Sequence, residues 1–178
     1  MATITRMTLD QFLAIPGFDE KRLELIDGEV WEKPMPTWGH GTIAGELYVA
    51  CRPFGYGSVE PRAIIPATGS LDASSPIPDF SFYVEGPPAV DEWMRNPPEI
   101  VAEILSPGQS RRDMRAKVDL YISFGVPTVW VFDPDRKTVD VYEEGERQVL
   151  EESGELRPRA VPGLAISIRE LFTPQRRP

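Results

Sequence analysis

The chain has 178 residues, with 28 acidic and 19 basic side chains and one histidine, which gives a formal net charge of -9 at pH 7. Its hydrophobic content of 41% is typical of a globular protein that is long enough to bury a core. The negative charge argues against a protein that holds nucleic acid through an overall positive field, so any such contact has to use a local basic patch.

The location expected from the sequence is the cytoplasm. No apolar run approaches the roughly 20 residues that cross a bilayer, and the first residues lack the apolar centre of a signal peptide. The single cysteine, Cys51, cannot form an internal disulfide and is interpreted as a small buried hydrophobic residue.

The first third of the chain predicts a short helix, a hairpin and a longer helix. Thr8 and Gln11 have the spacing of a capping box before a short helix. The Asp27-Gly28 pair separates two strand-like runs, which is typical of a β-hairpin. Residues 39–51 have apolar positions at helical spacing.

The remaining elements predict a mixed sheet with few helices. A helix is expected from Ser110 to Phe124, and the proline-rich segment 85–98 is expected to be a loop. Strands are predicted at residues 59–66, 80–84, 100–105, 128–132 and 138–142. This order favours an α/β or α+β fold in one domain, residues 1–173, followed by a flexible tail, residues 174–178.

Glu103 lies inside an apolar run that has the length and composition of a buried strand. A carboxylate between Ala102 and Ile104 costs on the order of several kcal/mol unless it is paired, protonated or bound to a metal. Asp79 follows Pro78 at the entrance to another apolar strand, and a simple Pro-Asp turn would also explain it. If the two strands are neighbours, the carboxylates converge and suit Mg²⁺.

Lys117 falls within the apolar stripe of the predicted helix, which is formed by Met114, Val118, Tyr121 and Phe124. There it could hold an attacking water or offset the charge of a phosphate. The alternatives are a lysine that extends to solvent or a structural ion pair with Glu103.

Other side chains of this helix have two interpretations each. Arg111, Arg112 and Arg115 form a basic cluster that could bind nucleic acid, or a solvated face. Asp113 could belong to the site, or could form a capping box with Ser110. His40, the only histidine, could be a catalytic base or ligand, or could have a capping or surface role.

A series of short motifs runs through the chain: ELIDGE at 24–29, His40, Pro78-Asp79, EILS at 103–106, Asp113, Lys117, Tyr121, Gly125-Val126 and WVFDP at 130–134. The series resembles the Uma2 family (DUF820) of the PD-(D/E)XK restriction-endonuclease-like superfamily, over about residues 7–172. The resemblance implies a central four-stranded mixed sheet flanked by helices, extended here by hairpins, and divalent-metal-dependent cleavage of phosphodiesters.

The resemblance also implies roles for single residues. Asp79 would match the first acidic ligand and Glu103 the second. The usual lysine of the superfamily lies two positions after the second acid, where this chain has Leu105; in the family it resembles, that lysine is found on the following helix, as Lys117 is here. Glu24 could add a third acid, or could be an exposed hairpin residue.

The function expected from the sequence is therefore an endonuclease that uses Mg²⁺ or Mn²⁺ and has DNA as its partner. The rival is a non-catalytic binding or scaffold protein that keeps the nuclease fold and uses its acidic surface. A homodimer is expected by analogy with restriction-type enzymes, with Trp93, Met94 and the proline-rich loop as the apolar contact.

Overall fold

The computed structural model describes residues 6–107, 109 and 111–173, and for Arg111 and Arg112 it describes the backbone alone. The predicted helix start at Ser110 and the predicted tail 174–178 lie outside the described residues.

The N-terminal elements follow the sequence prediction. Helix α1 spans Leu9–Leu13, and the reciprocal hydrogen bonds between Thr8 and Gln11 confirm the capping box. Strands β1 (Leu23–Ile26) and β2 (Glu29–Glu32) form an antiparallel hairpin. Asp27 and Gly28 have φ values of 46° and 77° in its turn, as a type I′ turn requires at both central positions.

The later elements, in chain order, are helix α2 (Trp38–Cys51), a 3₁₀ turn (Arg52–Phe54), strands β3 (Tyr56–Val59), β4 (Phe80–Tyr83) and β5 (Ile100–Ile104), helix α3 (Arg111–Phe124), strands β6 (Thr128–Asp133), β7 (Thr138–Glu143), β8 (Glu146–Glu151), β9 (Glu155–Leu156) and β10 (Ile166–Ser167), and helix α4 (Ile168–Phe172).

The central sheet has six strands in the order β3-β4-β5-β6-β7-β8. Strands β5 and β6 are parallel and are connected through α3, whereas the other neighbours are antiparallel. Four strands, β3 to β6, thus form a mixed core that the β7-β8 hairpin extends at one edge. The predicted fold class, a mixed sheet with flanking helices and added hairpins, is confirmed.

The two faces of the sheet are covered by different elements. Residues of α2 and α4 pack on one face, together with Ile100, Ala102 and Ile104 of β5. Residues of α3 and of the β1-β2 hairpin pack on the other face, together with Val101. Because side chains alternate along β5, Glu103 points to the α3 face. Between this face, α3 and the hairpin, Lys117 of α3 meets Glu103 of β5 and Glu24 of β1.

The predicted strand at residues 59–66 is wrong, because β3 ends at Val59. Glu60 has a φ of 52°, which breaks the extended backbone, and Pro61 follows it. The next residues form only isolated bridges, one from Ala63 to Met94 and one from Ile65 to Ser74.

The expectation that Met94 is exposed is also wrong. Its side chain is 3% exposed and belongs to the core on the α3 face. The backbone explains this position, because the Met94 N–H donates to the Arg62 carbonyl and the Met94 carbonyl accepts from Ile64. Trp93 is 36% exposed. In the part of the chain that the structure describes, no helix has the length and apolar character needed to cross a membrane.

Candidate active site

Asp79 and Glu103 lie at the same end of two neighbouring strands. Strands β4 and β5 pair antiparallel with Phe80 opposite Ala102, and continuing this register places Asp79 opposite Glu103. Opposite residues of an antiparallel pair project to the same face. The two residues are 2% and 1% exposed, so two acidic side chains are buried together on the α3 face.

Lys117 of α3 contacts two carboxylates. Its Nζ lies 2.9 Å from Glu24 Oε1 and 2.8 Å from Glu103 Oε1. The Tyr121 hydroxyl, one turn further along α3, donates to the same Glu103 oxygen at 2.6 Å. Glu24 Oε1 also accepts the backbone N–H of Ile77 at 2.7 Å. Glu103 is therefore a buried carboxylate with an ammonium and a phenol as its partners.

Asp79 is held by donors from three other elements. Its Oδ2 accepts the Ile104 N–H at 2.6 Å and lies 3.0 Å from His40 Nε2. Its Oδ1 accepts from the Lys33 ammonium, which also donates to the Ile77 carbonyl at 2.5 Å. Lys33 and His40 are each 6% exposed, so this second group of charges is buried as well.

Local structure explains how these side chains reach the site. In the hairpin, Glu24 is opposite Trp31, and strand alternation puts Lys33 on the same face as Trp31. Thr37 caps α2 and accepts the His40 N–H, which places His40 in the first turn of the helix. Lys117 and Tyr121 lie on the apolar stripe of α3, and both side chains point from it towards Glu103 of β5.

The pKa values of Asp79 and Glu103 are shifted in opposite directions. Burial alone would raise the pKa of Asp79, but the hydrogen bond from His40 and the charge of Lys33 hold that pKa well below its ordinary value. Burial raises the pKa of Glu103, and the Lys117 charge opposes this shift only in part.

Lys117 and Tyr121 are both fixed in their protonated forms. Burial would lower the pKa of Lys117, but the negative charges of Glu103 and Glu24 raise it above its ordinary value, so the side chain is an ammonium at neutral pH. Burial, together with the Glu103 charge, raises the pKa of Tyr121 well above its ordinary value, so its hydroxyl remains a donor.

A cavity of about 280 Å³ lies beside Glu24 and Lys117. Glu24 and Lys117 line it, together with Trp31, Glu32, Pro34, Pro107, Gln109, Asp113 and Met114. Two residues of the site, Glu24 and Lys117, therefore form part of the wall of this cavity.

The structure brings five of the predicted residues to this place: Glu24, His40, Asp79, Glu103 and Lys117. The alternative of an exposed hairpin residue is wrong for Glu24, which is 3% exposed. Asp113 is exposed on the wall of the cavity. Arg115 lies on the surface with its side chain 59% exposed and forms an ion pair with Asp119 at 2.9 Å, and the side chains of Arg111 and Arg112 are outside the described part of the chain.

The sequence analysis missed Lys33 altogether, and it placed Tyr121 in the apolar stripe and in the motif series without giving it a role in the site. A signal for Lys33 was present, since Trp31 and Lys33 share one face of a hairpin whose intervening residue, Glu32, is exposed. Within the described residues, no group of three or more His, Cys, Asp or Glu side chains is arranged to hold a metal ion.

A solved structure with the same fold indicates the class of protein to which the chain belongs. A crystal structure from Anabaena variabilis ATCC 29413, of a protein described as "a putative nuclease belonging to DUF820", has the same fold with a TM-score of 0.78 and 28% sequence identity. The match covers 94% of this chain and 98% of that one. The chain therefore has a nuclease-like structure.

The family follows from the sequence match. Residues 9–169 match the Uma2 family, which is described as "Putative restriction endonuclease", and the chain belongs to this family. No curated protein shows significant similarity to the chain.

Proposed function

We propose that this protein is a divalent-metal-dependent endonuclease that hydrolyses phosphodiester bonds of DNA, with Asp79, Glu103 and Lys117 as its central residues. The observation that carries the proposal is the position of Lys117. Its charged ammonium contacts Glu24 and Glu103, the residue lines a cavity, and a third acid, Asp79, lies opposite Glu103 at the start of the neighbouring strand.

The side chains of the site fit Mg²⁺ or Mn²⁺. Mg²⁺ is commonly bound through one or two carboxylates, with water and phosphate oxygens as its other ligands, and Asp79 and Glu103 would supply the carboxylates. Three carboxylates, Glu24, Asp79 and Glu103, face two ammonium groups, Lys33 and Lys117, so one negative charge remains when His40 is neutral. When bound, the ion supplies positive charge against phosphate oxygens and activates water.

The protein's own groups orient the acids and supply a fixed positive charge. Tyr121 fixes one oxygen of Glu103, and Ile104 N–H and His40 fix one oxygen of Asp79. Lys117 lines the cavity, so its ammonium can meet a phosphate oxygen or position a water there. A buried ammonium that is already oriented stabilises developing negative charge without further reorganisation.

A second function is favoured by the same ion pairs. Each buried carboxylate of the site has a cationic partner, and this is also the arrangement of a structural network with no catalytic role. The rival is thus a non-catalytic scaffold that keeps the nuclease fold and binds partners through its acidic surface.

Nicking of supercoiled plasmid in Mn²⁺ or Mg²⁺ separates the two functions. Glu103→Gln keeps the size of the side chain and removes one negative charge, so nicking should fall by a factor on the order of 10² or more. Glu152→Gln is the matched control, because it also removes one negative charge, at a surface side chain that is 35% exposed and pairs with Lys137. Nicking that survives both Glu103→Gln and EDTA would show that the activity comes from another source.

A further inference from the structure

Lys33 is a buried cation to which the proposed function gives no role. Its side chain is 5% exposed, and its Nζ contacts Asp79 Oδ1 and the Ile77 carbonyl. A buried lysine is costly unless it is paired, and here the pairing partner is one of the two acids proposed to hold a metal ion.

The two oxygens of Asp79 differ in how firmly they are engaged. Oδ2 receives the backbone Ile104 N–H at 2.6 Å and lies 3.0 Å from Nε2 of the short, buried His40 side chain. Oδ1 receives the Lys33 ammonium, which stands at the end of a flexible four-carbon stem. A cation that reaches Asp79 therefore competes with Lys33 for Oδ1.

The ammonium groups of Lys33 and Lys117 also differ in the contacts that each would lose on moving away from its present position. Lys117 contacts two carboxylates, Glu24 and Glu103, whereas the contacts of Lys33 are one carboxylate and one neutral carbonyl. Of the two ammonium groups, Lys33 is the one that can be exchanged at lower cost.

We propose that Lys33 is an exchangeable counter-ion of Asp79: it neutralises Asp79 Oδ1 in the metal-free protein and gives up this oxygen when a divalent cation binds. The inference rests on the proposed function, because it assumes that Asp79 is a metal ligand. It assigns Lys33 a positioning role, which keeps Asp79 ionised and oriented before the ion arrives.

The test is Mn²⁺ binding to Lys33→Met, measured by calorimetry and by the shift of the melting temperature. Removing a competing positive charge should tighten Mn²⁺ binding about tenfold or more relative to the parent protein, while the metal-free variant melts at a lower temperature. Lys137→Met, which removes a surface lysine, should bind Mn²⁺ as the parent does. Equal or weaker Mn²⁺ binding by Lys33→Met would overturn the inference.

Two further variants keep the test decisive. Lys33→Gln retains a donor for the Ile77 carbonyl, so it should fold where Lys33→Met does not, and it should show the same gain in Mn²⁺ affinity. In an Asp79→Asn background, Lys33→Met should bring no gain in Mn²⁺ affinity over Asp79→Asn alone. A gain that persists there would place the ion away from Asp79 and overturn the inference. Plasmid nicking by the parent protein tests the proposed function separately, since it does not depend on how Lys33 changes the affinity.

Discussion

Glu103 shows how a carboxylate is accommodated in a strand whose five residues are all buried. Its Oε1 is contacted by Lys117 at 2.8 Å and by the Tyr121 hydroxyl at 2.6 Å. Hydrogen bonds to a charged group contribute about 1.5 to 3 kcal/mol, which offsets part of the desolvation of the carboxylate. The raised pKa of Glu103 shows that burial is not fully compensated.

Replacing Lys117 with methionine should affect both stability and activity. The change leaves Glu24 and Glu103 without their common cation, so the free energy of unfolding at pH 7 should fall by about 3 to 5 kcal/mol. If the lysine is also catalytic, nicking by the folded fraction should fall by a factor on the order of 10² or more. Urea unfolding and Mn²⁺-dependent plasmid nicking measure the two effects on one sample.

The double variant Glu103→Gln/Lys117→Met separates the two roles of Lys117. It removes one charge of each sign, so much of the lost stability should return while nicking stays low. A folded Lys117→Met protein that nicks at the parent rate would refute the catalytic role.

The stability of the protein should fall at acid pH because of Asp79. Its pKa is lowered in the folded state, so its contribution is present above the unfolded value of about 3.9 and is lost as the pH falls from there towards the folded value. Urea unfolding between about pH 4.5 and pH 2 should therefore show a steeper loss for the parent than for Asp79→Asn. Parallel profiles for the two proteins would contradict this assignment.

The sequence indicated the acids and the helix lysine because each breaks an apolar pattern. Glu103 interrupts a buried strand and Lys117 interrupts a helical stripe, and such exceptions are visible without a structure. Lys33 and Tyr121 do not interrupt an apolar pattern, so neither stood out as an exception in the way that Glu103 and Lys117 did. Their roles depend on the packing of the β1-β2 hairpin and α3 against the sheet, which is a tertiary relationship.

At the scale of elements, strands with an apolar pattern or a clear turn signal were predicted, whereas very short or mostly exposed strands were not. Strands β4, β5 and β6 are almost entirely buried, and their predicted limits agree with the structure to within one residue. Strand β8 is mostly exposed, and β9 and β10 have two residues each, so they lack the periodicity that a prediction needs. Strand β3 was misplaced, since two glycines near it obscure its pattern.

Gly55 offers a test of how the chain enters β3. A Cβ at this position would lie 2.2 Å from the Tyr83 carbonyl oxygen and 2.8 Å from Phe82 Cζ, so Gly55→Ala forces β3 away from β4. The free energy of unfolding should fall by about 1 to 3 kcal/mol or more. Gly45→Ala is the matched control, because nothing lies within 4 Å of a Cβ there, and within α2 it should stabilise by about 0.5 to 1 kcal/mol. Equal effects of the two changes in urea unfolding would contradict this account.

At the scale of the whole molecule, the charge of -9 opposes the approach of DNA. Arginines near the cavities are paired with acids, as Arg115 is with Asp119 and Arg147 is with Asp140.

The homodimer stays a prediction. Its expected contact now lacks Met94, while Val90 is fully exposed and Trp93 packs its ring edge against Phe18. Light scattering at high micromolar concentration tests it.

The salt dependence of nicking should have an unusual sign for a DNA enzyme. Salt screens the repulsion between an acidic protein and DNA, so kcat/KM should stay level or rise between about 50 and 150 mM NaCl at a fixed Mn²⁺ concentration. A protein that binds through many basic side chains would instead lose affinity steeply over this range. A steep fall would indicate that the basic cluster of α3 dominates the contact with DNA.

The single cysteine, Cys51, can report how often α2 separates from the sheet. Cys51 ends α2 with 0% exposure against the sheet, and burial raises the pKa of its thiol to about 12. A thiol reagent can modify Cys51 only when α2 separates from the sheet. The labelling rate therefore measures this separation without an introduced probe. His40, in the first turn of α2, contacts Asp79. A metal ion bound at Asp79 should therefore stabilise the packing of α2 on the sheet and slow the labelling of Cys51.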